Sequence, residues 1–182
     1  QVLDLSTLST FVPPVQILLA TNSYQPTGYS GSHNIQIYNN NLYLFWNSPA
    51  DGFYCGSSSG DAGAWIINAS TGNNVGCISD SIVNVAHDMD CHNYSGTHIC
   101  FIAGGGTLGN SNTAMSGYGT KAINVSNPGS ATLAYSLPNY SNMHFSHEPA
   151  LTSNGNWMIM TDETDEWDYG VPSGTNMRLF VY

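Results

Sequence analysis

His33-Asn34-Ile35-Gln36-Ile37-Tyr38, then Asn39-Asn40-Asn41, then Leu42-Tyr43-Leu44-Phe45-Trp46, reads as two β-strands joined by a polar turn. Apolar and polar residues alternate along the first segment, the pattern of a strand with one buried face. The asparagines supply turn chemistry, because they tolerate the backbone conformations a tight reversal needs.

The same unit recurs along the chain. A small residue followed by histidine opens it three times, at Ser32-His33, Ala86-His87 and Ser146-His147. Each is followed by a turn and an apolar strand, covering residues 42–46, 98–103 and 157–161. A third strand type appears four times: Val2-Leu-Asp-Leu-Ser6, Trp65-Ile-Ile-Asn-Ala-Ser70, Ala122-Ile-Asn-Val-Ser126 and Arg178-Leu-Phe-Val-Tyr182. His33 and His87 are 54 residues apart and His87 and His147 are 60 apart. Repeats of about 40–50 residues with several strands each are the signature of propeller blades. The extra length fits loops over residues 48–62 and 104–119. Helical signals are almost absent, since Gly, Pro, Asn and Ser interrupt every stretch of about ten residues. The expected fold is therefore all-β: repeated four-stranded antiparallel blades forming a partial or open β-propeller. An N-terminal strand segment covers residues 1–30, and a propeller-like repeat domain covers 31–182, with repeats starting near 32, 86 and 146.

Composition narrows the function. Of 182 residues 41% are hydrophobic, enough for a core, but only 8% are charged, against about 25% in an ordinary soluble domain. Asn, Ser, Thr and Gly supply the polarity instead, as on extracellular proteins. The net charge is −10, and Lys121 and Arg178 are the two fixed cations. Nucleic-acid binding requires basic side chains that displace counterions from phosphate, so DNA and RNA are excluded as partners, and anionic membrane surfaces are disfavoured. The longest apolar run, residues 15–20, is far below the roughly 18 residues that cross a bilayer, so no direct membrane span is expected.

Four cysteines, Cys55, Cys77, Cys91 and Cys100, allow three pairings. Cys91 and Cys100 flank Asn93-Tyr94-Ser95-Gly96-Thr97, a hairpin turn, and cross-strand neighbours in a hairpin are close enough to bridge. The expected disulfides are Cys91–Cys100 and, as the remainder, Cys55–Cys77. Four buried thiols or a zinc site are the alternatives, although no CxxC spacing is present. Four sequons, at Asn68, Asn93, Asn124 and Asn139, fit N-x-[ST] and make N-linked glycans expected partners.

Gly31-Ser32-His33-Asn34-Ile35, Gly76-Cys77, Ala86-His87-Asp88, Ile99-Cys100-Phe101, His147 and Thr161-Asp162-Glu163-Thr164-Asp165-Glu166 occur in that order. In this the chain resembles the LVIVD-repeat, choice-of-anchor B family of surface proteins, over nearly its whole length. The resemblance implies a β-propeller displayed outside the cell, in a family without an established enzymatic activity. No anchor segment stands in the sequence.

Two clusters could carry chemistry. In a propeller the first strand of each blade lines the central channel, so His33, His87 and His147 would converge around one axis. There they could hold zinc or another borderline metal, or each could bond the backbone of a neighbouring strand and lock its blade. The second cluster is Asp162, Glu163, Asp165 and Glu166, whose hard oxygens suit Ca²⁺, or which form a solvated acidic loop. Two strings fail on context: Gly56-Ser57-Ser58-Ser59-Gly60 and Gly104-Gly105-Gly106-Thr107-Leu108-Gly109 need a following helix, and none is predicted. Trp46, Trp65 and Trp157 are expected to fill the space between sheets.

These observations predict an extracellular structural or adhesive surface protein. A metal-dependent enzyme or a carbohydrate-binding module using the channel are the rival classes. Residues 2–20 are β-prone and nearly uncharged, with Asp4 their single charge. They are expected to complete a sheet in a neighbouring subunit, making a filament by β-strand addition, or else the chain is part of a longer propeller whose further blades cover its edges.

Overall fold

The computed structural model describes residues 2–3, 20–22, 32–45, 63–83, 85–105, 119–138, 146–162 and 179–182. They form an all-β structure of antiparallel sheets in which neighbouring strands follow chain order. A two-stranded sheet pairs β1 (Val2–Leu3) with β2 (Ala20–Asn22). The first four-stranded sheet comprises β3 (Asn34–Tyr38), β4 (Asn41–Phe45), β5 (Ala64–Asn68) and β6 (Asn74–Ile78). The second comprises β7 (Val85–Tyr94), β8 (Thr97–Gly105), β9 (Lys121–Asn124) and β10 (Thr132–Ser136). The last holds β11 (Ser146–Leu151), β12 (Met158–Asp162) and β13 (Leu179–Val181). Helix is confined, among the described residues, to one turn, α1 (Asp80–Val83), and a 3-10 turn at Pro128–Ser130.

Local chemistry explains the hairpins. Asn39 and Asn40 both have positive φ (47° and 60°), as do Ser95 and Gly96 (53° and 93°). Two successive left-handed residues make the mirror-image turn whose twist matches that of paired strands. The register follows: Tyr38 opposes Asn41, and Tyr94 opposes Thr97. Three of the four segments of the third strand type form the third strand of a sheet, at β5, β9 and β13, while Val2–Leu3 forms β1 of the two-stranded sheet.

The sheets pack face to face. Tyr43, Phe45, Ile66 and Ile78 of the first meet Met89, Ile102 and Ile123 of the second in one buried cluster. Ala103 of the second meets Met158 and Met160 of the third in another. Each such side chain, fully buried, is worth roughly 1.5–3 kcal/mol relative to exposure. The outer strand of the first sheet also closes on the second: a Cβ on Gly76 would stand 2.8 Å from the Pro128 carbonyl oxygen, so only glycine fits that approach.

Two expectations, those for Trp157 and Asp162, change. Trp157 is 59% exposed, not between sheets. It precedes β12 on the same face as Ile159, the face turned away from the packed Met158 and Met160. Among the described residues the third sheet has three strands, and the described sheets do not close into a barrel or ring. Asp162 is not in a solvated loop. It is the last residue of β12, opposite Ser146, and is fully buried.

Candidate functional site

His33, His87 and His147 stand at the same place in three sheets. His33 immediately precedes β3, and its backbone N–H donates to the Phe45 carbonyl at 3.0 Å. His87 sits where the β7–β8 register shifts between Ala86 and Asp88. His147 sits where the β11–β12 register shifts between Ser146 and Pro149. An extra residue in one strand breaks the alternation and re-aims the side chain. The first strands β3 and β11 both pack against β7, and so the three rings come together as expected. The His87 ring lies 4.8 Å from that of His33 and 4.3 Å from that of His147, centroid to centroid, both tilted.

His87 is the middle member and is 1% exposed. Burial pushes its imidazole down to about 4, and His147 and His33 push the same way, while a hydrogen bond with the backbone of His147 opposes them. A ring that must shed its hydration and sit between two others resists a positive charge. At neutral pH it is an uncharged packing and hydrogen-bonding group.

Polar side chains from β3 support it. Asn34 Nδ2 lies 3.4 Å from His87 Nδ1 and donates to the His87 carbonyl at 3.1 Å. The same amide reaches Asp88 Oδ2 at 3.4 Å, and Gln36 Nε2 donates to Asp88 Oδ1 at 2.9 Å. Two residues further along β7, Asp90 Oδ2 accepts from the backbone N–H of Leu151 in β11 at 2.7 Å. Beside the cluster, the Ser146 and Thr120 hydroxyls are buried and 3.0 Å apart. Among the described residues, no three His, Cys, Asp or Glu side chains are grouped to hold a metal ion.

The far ends of the first strands are also tied. The Tyr38 hydroxyl and His98 Nδ1 are 2.9 Å apart, linking the first sheet to the second. The Tyr94 hydroxyl donates to the Gly155 carbonyl at 2.7 Å, linking the second to the third. The sequence pattern singles out Asp88 and Asp90 beside His87 as acidic candidates, but not Asn34, Gln36, Tyr38 or Tyr94. The available signal was alternation: Asn34, Gln36 and Tyr38 share one face of β3, opposite Ile35 and Ile37.

The other expected residues fall as follows. Cys91 and Cys100 are directly opposed in the β7–β8 ladder and form a disulfide. Cys77 is disulfide-bonded too, and its expected partner Cys55 lies outside the described residues. Asn68, Asn93 and Asn124 stand at strand ends or turns. Asn139, Glu163, Asp165, Glu166, Trp46 and most of residues 1–20 lie outside the described residues. None of the described helices is long and apolar enough to cross a membrane.

No family model matches the chain, and comparison with curated proteins and with solved structures finds no match to either.

Proposed function

We propose that this chain is an extracellular structural or adhesive surface module, built as consecutive blades of an open or partial β-propeller in the manner of LVIVD-repeat surface proteins. The observation that carries the reading is the histidine cluster. Three quasi-equivalent imidazoles, two of them at strand irregularities, pack on one another, and the central one bonds backbone from the next sheet. That is the arrangement of side chains that lock blades together. The disulfides and the almost cation-free composition suit an oxidising exterior.

What the end sheets present supports self-association. Ile35 and Ile37, 58% and 69% exposed, lie on the outer face of the first sheet. Trp157, Ile159 and Val181 are exposed on the outer face of the third, where Ile159 and Val181 are direct cross-strand neighbours. A further sheet at each end, from a neighbouring subunit or further blades, would bury them. The outer edge of β13 has no partner strand among the described residues and is a template for strand addition by another chain, which yields a ring or filament.

Immunolabelling of intact and permeabilised source cells, with electron microscopy of the labelled surface, tests the reading. Label on intact cells, over a fibrous or layered coat, is expected. Label that needs permeabilisation overturns it. Stoichiometric zinc or calcium binding by calorimetry, together with activity lost on chelation, would favour the enzyme reading instead.

A further inference from the structure

The three sequons among the described residues are distributed in an ordered way over the fold. In an antiparallel meander the turns after the first and third strands lie at the same end of the sheet. Asn68 closes β5 and opposes Asn41, beside the Asn39–Asn40 turn, where the Ala69 N–H donates to the Asn40 carbonyl. Asn93 precedes the Ser95–Gly96 turn and opposes His98, and Asn124 closes β9 opposite Ile99. The Tyr38–His98 contact places that end of the first sheet against the same end of the second. All three asparagines therefore lie at one end of the stack. The histidines lie at the other, seven residues along β7 from Tyr94 to His87, or roughly 23 Å of strand.

The three side chains also share a local geometry. Asn68 Oδ1 accepts from the Ser70 N–H at 3.0 Å and from the Thr71 N–H at 2.9 Å. Asn93 Oδ1 accepts from the Gly96 N–H at 2.7 Å, and Asn124 Oδ1 from the Ser126 N–H at 3.0 Å. In each case the carbonyl is tied to the turn, and Nδ2 donates to nothing among the described residues. Asn93 is exposed and the other two are half-buried. Nδ2 is the atom a glycan would occupy, so a sugar there displaces no hydrogen bond of the folded protein.

We propose that Asn68, Asn93 and Asn124 carry N-linked glycans, forming one carbohydrate-covered end of the stacked sheets opposite the histidine cluster. The donor is a lipid-linked oligosaccharide diphosphate. A bond forms between Nδ2 and the anomeric carbon, the bond from that carbon to the diphosphate oxygen breaks, and the amide proton leaves with the lipid diphosphate. Asn93 and Asn124 flank β8, opposite His98 and Ile99, so their backbones stand about 10 Å apart, two strand spacings, and their glycans leave that end from opposite faces of the sheet. Partners of the protein are then confined to the sheet faces and the histidine end. This inference rests on the reading that the chain is exported.

Protein purified from its source is digested without reduction and deglycosylated enzymatically in heavy-oxygen water, so that each occupied asparagine becomes a labelled aspartate. The expected result is label at two or all three of Asn68, Asn93 and Asn124. Asn40, Asn73 and Asn154, exposed at the same end but outside any sequon, serve as unlabelled controls. Label at one site or none, in protein whose Cys91–Cys100 disulfide is found in the same digest, overturns the inference and leaves export standing. Free thiols at Cys91 and Cys100 overturn both.

Discussion

Acid should loosen the stack through His87. The imidazole is pushed from 6.5 to about 4 by burial and by the two rings beside it. Between those values the unfolded chain binds a proton that the folded chain refuses, so stability falls as pH falls. It is complete above about pH 6.5, declines through the window and reaches its floor below about pH 4. A gap of about 2.5 pH units at about 1.36 kcal/mol each amounts to about 3 kcal/mol. For a chain of this length that corresponds to a Tm lower by about 6–12 °C. Urea and thermal unfolding between pH 7.5 and 4 would measure the slope in wild type and in His87→Gln, which keeps hydrogen-bonding capacity and removes the titration. The variant should lose about 3 kcal/mol less across the window than wild type. Parallel slopes would refute the reasoning. So would a wild-type NMR titration placing the His87 ring near its ordinary value, which settles the matter even where the variant folds poorly.

Gly155→Ala should lower Tm by several degrees, from about 1–2 kcal/mol of left-handed backbone strain. Gly155 has φ +69°, and a Cβ there would lie 2.5 Å from His92 Cδ2. Calorimetric scanning checks it. Replacing Cys91 and Cys100 together by alanine removes a crosslink nine residues apart in sequence and should cost about 2–3 kcal/mol in urea unfolding by the loop-entropy relation. Tyr43→Phe should leave stability unchanged or raise it by up to about 1 kcal/mol, read as the urea midpoint. The Tyr43 hydroxyl is buried without a hydrogen-bond partner among the described residues, and burial pushes its pKa up to about 12.

Much of the architecture was legible before any coordinates. Alternation over residues 33–38, the asparagine turn and the recurring third strand are local signals, because a strand with one buried face must alternate and a tight hairpin must place residues at positive φ. Cys91 and Cys100 could be paired because a hairpin makes its own contacts close in sequence. The spacing of three histidines marked one place in each repeat. Their convergence, however, depended on β3 and β11 packing against β7 and on register shifts at His87 and His147, which sequence periodicity does not encode. Trp157 shows the limit most plainly: its pattern suits a core residue equally on either face, and only the stacking order of the sheets turned that face outward. The depressed pKa of His87 belongs to the same class, since it arises from rings brought together across about 50–60 residues of chain and from water excluded between them. The sequence by itself determined strands, turns and repeats, which are short-range consequences of side-chain shape and polarity. The tertiary structure alone decided which faces meet, because burial and charge interactions are properties of surfaces from different sheets.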